Sequence, residues 1–426
     1  CGAECLARAA IGMADNPVSA EDVDHAGIGL LEEALSTLGD ASASLRAQLL
    51  GRLAGRLYDA PASLTRRDAL SAESVALARQ VGDPLVLAAC LHARLSAMWG
   101  PGGAPERLAT GVEIAQLAER GGDVEVALHG HAWCQIAHLE MGDVASLDEE
   151  LVTYEVLSGQ LRHPHVRWYA RTRRAMRALL AGRLDTGERM ARKALEEGWS
   201  GRRLEVENTF ATQMTMVWLE RPTAEALQFL EAGRLASESR MPVNSKHPLC
   251  WHANLGAVAL ALGETETARA AVDHLTTVGL ASIPRTELWG GTMACLSAPL
   301  ARLGSPEAVS ALHELLLPHA GSNAQMAGAV AFACSFSHHL GVLAAAMRRW
   351  DEAEHHFAAA ATMHARMGAA AHLAHTQVEW ATMLAARELP GLRERWHALL
   401  EGADAQATRL GLPALSRRIA DLKASG

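Results

Sequence analysis

Twenty histidines, ten tryptophans and seven cysteines are the residues of this 426-residue chain best equipped to bind or react. The histidines crowd at His338, His339, His355, His356, His364, His372 and His375. His372 and His375 stand three apart, on one face of a helix, and His338 is placed to meet His355 across a helical pair. A metal centre needs three or four converging ligands with oriented partners behind them. The plainer reading is polar or core-edge histidine in a chain short of lysine, so no metal and no cofactor are expected. His129 and His131, two apart, point to different sides of a helix, which disfavours joint ligation.

Other chemistry is sparse. No phosphate-cradling Gly-x-x-x-x-Gly-Lys loop, His-Glu-x-x-His pair or Cys-x-x-Cys occurs. A Gly-x-Ser-x-Gly elbow requires a strand, and the sequence reads as having none. Acidic runs such as Asp148-Glu149-Glu150 read as solvated faces, and Asp143 and Asp185 as helix-start residues. The cysteines are odd in number and scattered, as expected for reduced cytoplasmic thiols filling core space. Cys1 invites the idea of a lipidated terminus, but a piece of a longer polypeptide is the preferred expectation. The chain is read as no enzyme.

The elements that must position these residues announce themselves through a repeated break. It falls at Gly142-Asp143, Gly182-Arg183, Arg221-Pro222, Gly263-Glu264, Gly304-Ser305, Arg348-Arg349 and Gly391-Leu392, at intervals of 39 to 44 residues. Five residues past each break stand Leu147, Gly187, Ala226, Ala268, Val309, Ala353 and Trp396. Four further on come Leu151, Ala191, Leu230, Val272, His313, Phe357 and Leu400. A helical pair recurring at that period marks an α-solenoid. Leu255-Gly256 followed by Ala268 and Val272 matches Leu340-Gly341 followed by Ala353 and Phe357, the small-then-large pattern of tetratricopeptide-type repeats. The expected fold is therefore all-α: about nine irregular tetratricopeptide-like pairs with a period of about 41 residues, wound as a right-handed superhelix. Residues 1–426 are read as one solenoid, with a partial first repeat and loop at 1–23 and a capping helix at 413–426. The front end shows no comparable polar cap.

Composition agrees. Apolar residues make up 49% and aromatics only 4%, suiting close helix packing and leaving too few β-branched residues for an extended sheet. A net charge of −9 excludes a general nucleic-acid surface, and no apolar run reaches the roughly 18 residues of a membrane span. In such arrays the first helix of each pair lines the concave surface. Indexing from the Leu-Gly position projects His129, Tyr169, Asn208, Trp218 and His338 into that groove as ligand-binding candidates, the way a small-molecule or peptide site is built. Trp350 and Trp396 sit at pair junctions and read as packing residues.

Several stretches carry a family likeness. They include Leu30-Leu31-Glu32-Glu33-Ala34-Leu35, Ala78-Arg79-Gln80-Val81-Gly82-Asp83-Pro84 and Met98-Trp99-Gly100-Pro101. Met176-Arg177-Ala178-Leu179-Leu180-Ala181-Gly182-Arg183 and Trp350-Asp351-Glu352-Ala353-Glu354-His355-His356-Phe357 continue the set. The chain resembles the C-terminal helical-repeat sensor of bacterial signal-transduction ATPases, the large LuxR-type and AAA-ATPase regulators. Arg348 departs from the pattern by replacing a loop glycine. The resemblance implies a cytoplasmic module that receives a small inducer or a protein segment and signals to ATPase and effector domains upstream. A pure protein-interaction scaffold is the alternative, and a solenoid-based enzyme the third reading.

Overall fold

The computed structural model describes residues 2–15, 24–60, 63–198, 203–242, 245–387 and 391–425. It is built almost wholly of helices. In chain order these are α1 (Gly2–Asp15), α2 (His25–Leu38), α3 (Ala43–Arg56), α4 (Leu64–Val81), α5 (Pro84–Ala97), α6 (Ala104–Gly121), α7 (Val124–Met141) and α8 (Val144–Gln160). There follow α9 (Pro164–Leu180), α10 (Leu184–Glu196), α11 (Arg203–Glu220), α12 (Ala224–Glu238), α13 (Lys246–Leu262), α14 (Thr265–Val278), α15 (Trp289–Leu303) and α16 (Pro306–Leu316). The last are α17 (Phe336–Ala346), α18 (Trp350–Met367), α19 (Ala370–Ala386), α20 (Arg393–Leu410) and α21 (Pro413–Ser425). Among the described residues none is long and apolar enough to cross a membrane. Trp199 lies outside the described residues.

The breaks work through backbone conformation. Gly142, Gly182 and Gly263 have φ between 72° and 94°, the left-handed region that closes a helix C-terminus, and Gly391 takes a like value just ahead of α20. Arg348 takes the same role at φ 57°, against its side chain's preference. Helix starts are capped locally: Ser42, Thr223 and Ser305 each accept a backbone N–H three residues on.

The small-then-large pattern closes each pair as its spacing requires. Ala268, Ala353 and Phe357 are fully buried and Val272 is nearly so. A Cβ on Gly256 would come within 2.9 Å of Ala271 Cβ, and one on Gly341 within 2.6 Å of the Phe357 ring. The absent side chains therefore set the helix spacing.

The chain divides into two compact units, residues 1–137 with 147–167 and residues 138–146 with 168–426. In the first, Leu31, Leu45, Leu49 and Leu53 form a core between α2 and α3. There α6 and α7 approach so closely that a Cβ on Gly130 would lie 2.6 Å from the Ala115 amide nitrogen. In the second, α9, α11, α13, α15, α17 and α19, the first helices of successive pairs, form an inner layer. Their partners α10, α12, α14, α16, α18 and α20 follow each on the outside.

The expectation of a chain without strands is overturned. Asn323–Met326 (β1) and Ala331–Ser335 (β2) form a buried antiparallel hairpin, with Gln325 opposite Phe332 and Met326 opposite Ala331. Its turn runs through Ala327, Gly328 and Ala329, all at positive φ. The segment is alanine-rich, with no strand pattern of its own; surrounding side chains impose the conformation by taking its backbone groups. Gln213 donates to the Val330 carbonyl, Arg173 to that of Gly328 and His339 to that of Ala333. Asn323 anchors the other edge by donating to the Leu139 carbonyl. A buried backbone group must find such a partner, and here the solenoid's inner helices supply it.

Candidate functional site

The inner layer of the second unit encloses a cavity of about 340 Å³. Its wall is largely apolar: Met176, Leu179 and Leu180 of α9, Met216 and Leu219 of α11, Leu260 of α13, Phe332 of β2 and Leu415 of α21. The polar groups concentrate on α19, where His372, His375 and Glu379 fall on one helical face as their spacing dictates.

Each meets a different environment. His375 Nε2 lies 2.7 Å from Glu220 Oε1 at the end of α11. Burial alone would raise the Glu220 pKa, but the charge and hydrogen bond of His375 outweigh it and hold the carboxyl below its usual range. Burial would likewise lower that of His375, and the facing carboxylate raises it instead. The two shifts agree on an ion pair. Glu379 accepts from Arg418 of α21 at 2.6 Å, and Arg302 of α15 stands 3.5 Å away. Two atoms of these lining residues are left over: Glu220 Oε2 and His372 Nδ1 are buried without a hydrogen-bond partner.

A second polar chain starts at the wall and runs behind it, from His338 to His364. His338 Nδ1 is 2.9 Å from Thr376 Oγ1, which is 3.1 Å from His364 Nδ1. The Ser335 amide, which can only donate, points at His364 Nε2. That nitrogen is therefore unprotonated, and Nδ1 donates to Thr376. Burial holds His338 and His364 well below the ordinary imidazole value and brings His372 to about 4. Burial also pushes the Cys334 thiol up, so it stays protonated. The set offers a guest hydrogen bonds and two ionised carboxylates, Glu220 and Glu379, each already facing a cationic partner.

Of the five groove candidates, His338 lines this cavity. Trp218 does not: it is 9% exposed and packs in the core, 5.5 Å from the Phe229 ring. Counted back from Gly182 and Gly263, cavity residues stand six, three and two positions before the break; Met216, Leu219 and Glu220 stand so before Pro222, and Trp218 falls between them. Tyr169 donates to Glu205 and carries the Arg173 guanidinium 5.2 Å from its ring, away from the cavity lining. Asn208 is half-buried, its Oδ1 without a partner, and also lies off the lining. His129, in the first unit, stacks on His92 at 4.0 Å, while His131 turns to Glu150 at 2.7 Å. Glu150 is thus engaged and not merely solvated.

His338 does not meet His355, which is exposed; its ring neighbours are His339, Phe357 and His364. Sequence reasoning missed Glu220, Glu379, Arg302 and Arg418 altogether. For Glu220 a signal was there, two positions before a break. Trp396 is core, and Trp350 is half-buried against the same cluster, as their junction positions imply. Among the described cysteines all but Cys5 are buried, and none is paired.

No family model matches the chain, and no curated protein does. One solved structure that it matches is described as a "circular tandem repeat protein with novel repeat topology and enhanced subunit contact surfaces". The match is 16% identical, covers 99% of this chain and 95% of that one, and has a TM-score of 0.16. At that score the backbones do not superpose, and the repeat architecture rests on the chain's own helices.

Proposed function

We propose that the second unit is a receptor for a small apolar molecule bearing a hydrogen-bond donor, a hydroxyl or an amine. The observation that carries this reading is Glu220 Oε2, a carboxylate oxygen buried without a partner on a residue that lines a largely apolar cavity. A buried polar atom left unsatisfied costs about 1–3 kcal/mol, which a guest's donor recovers. His372 Nδ1 offers a second such position. The cavity volume falls in the range of about 300–1,000 Å³ typical of ligand pockets. The β1–β2 hairpin already lies along the inner face that an extended peptide would use, which favours a small guest over a peptide.

In this reading the chain is the sensing module of a cytoplasmic bacterial regulator. Its guest signals to upstream ATPase and effector domains, with no direct contact to nucleic acid or membrane. The sequence resemblance supports that context, and the protonated Cys334 thiol supports binding without reaction. The test is thermal denaturation against a panel of apolar alcohols and amines, with Ala298→Phe filling the cavity. Midpoint increases in the wild type that vanish in Ala298→Phe are expected. A panel that moves neither protein, or both alike, overturns the proposal.

A helical-repeat scaffold also suits a protein-interaction module. Val152 and Val156, one turn apart on α8 and 51% and 61% exposed, are where a partner would touch.

A further inference from the structure

One position breaks the repeat rule. Where equivalent outer helices place Leu151, Leu230, Val272, Phe357 or Leu400, α16 places His313. It is only 1% exposed. Polar residues at core positions without a structural partner mark sites where function has overridden packing. The Nε2 atom of His313 is buried and makes no hydrogen bond, although Glu352 Oε1 of α18 stands 3.2 Å away. One helical turn beyond Glu352, on the same face of α18, His356 turns its ring edge toward His313, with centroids 6.0 Å apart. One ligand atom from each of the three residues lies within 4.8 Å of the others.

We propose that His313, Glu352 and His356 form a binding site for a divalent transition-metal ion of the zinc class, independent of the cavity. Two imidazoles and a carboxylate are the donor set that such ions take, with a fourth position left for water. Bond lengths of about 2.0–2.1 Å place tetrahedral ligands about 3.3 Å apart. The His313–Glu352 separation already meets that spacing, and His356 needs to close by no more than about 1.5 Å. Burial holds both imidazoles below their ordinary value, so each presents a lone pair at neutral pH. Glu352 is a third exposed, which leaves an approach from solvent. Its neighbour Arg349, 3.7 Å from the other carboxylate oxygen, is half exposed and free to swing outward. A second group, Glu238 with His252 and His274, lacks that freedom: Arg234 holds Glu238 at 2.6 Å and is itself mostly buried. The expectation of no metal weighed the 338–375 histidines and the His129–His131 pair, whereas this site draws His313 from the preceding helical pair.

The experiment uses the full chain, stripped with chelator and titrated with Co²⁺ as spectroscopic probe, then with Zn²⁺. The wild type is expected to bind one Co²⁺ with tetrahedral-intensity visible bands, to release it to Zn²⁺, and to gain thermal stability from Zn²⁺. His313→Leu restores the residue that other repeats carry, so it should fold at least as stably while losing both responses. Glu352→Gln should weaken Co²⁺ by at least about tenfold. A wild type without bands, or bands that persist unchanged in His313→Leu, overturns the assignment.

Discussion

Glu220 and His375 form an ion pair whose worth depends on pH in a defined way. The His375 pKa is raised above its ordinary 6.5, so its contribution is full below 6.5 and fades as pH rises through the folded value. The Glu220 pKa is lowered below 4.5, so its contribution is present above 4.5 and lost as pH falls through the folded value. His375→Gln should therefore cost most between pH 4.5 and 6.5, measured as the difference in urea midpoint from wild type. His372 and His339 behave oppositely. Their folded values near 4 mean that the unfolded chain takes up protons first as pH drops from 6.5, and stability falls. His372→Gln should flatten the wild-type loss between pH 6.5 and 4. At Arg348 the matter is backbone strain: a non-glycine residue at φ 57° costs roughly 1 kcal/mol. Arg348→Gly should raise stability by about that amount in urea unfolding.

The helical pairs were legible because each break and each small residue acts locally. Gly263 closes a turn, and Gly341 admits Phe357, whatever the rest of the chain does. The β1–β2 hairpin was not legible, because nothing in Asn323–Ser335 prefers a strand; its conformation depends on donors over a hundred residues away. Gln213 is the clearest of these, bonding the carbonyls of Thr172 and Val330 at 2.6 and 3.0 Å with no exposure to solvent. Gln213→Leu keeps the volume but removes the donor to the Val330 carbonyl, while that of Thr172 keeps its own helix bond. It should cost about 2 kcal/mol or more in equilibrium unfolding, and hydrogen exchange should quicken at the hairpin. Unchanged stability would mean that the hairpin does not depend on the inner helices.

Within the second unit, the inner helices of the repeats converge on one cavity, and the site emerges from their sum. His338 lines this cavity, whereas Glu220 was not among the projected residues, because no glycine marks the repeat register at Arg221-Pro222. The carboxylate–imidazole pair spans α11 and α19, residues 220 and 375, a separation that repeat periodicity does not encode. The central claim, an apolar guest held by a donor to Glu220, is tested most directly by fluorescence titration with N-phenyl-1-naphthylamine. This probe is an apolar fluorophore with a single N–H. The wild type should bind it at one site per chain, Ala298→Phe should not, and the carbon analogue 1-benzylnaphthalene should compete about tenfold more weakly. Absence of binding to the wild type, or equal binding to Ala298→Phe, would contradict the account.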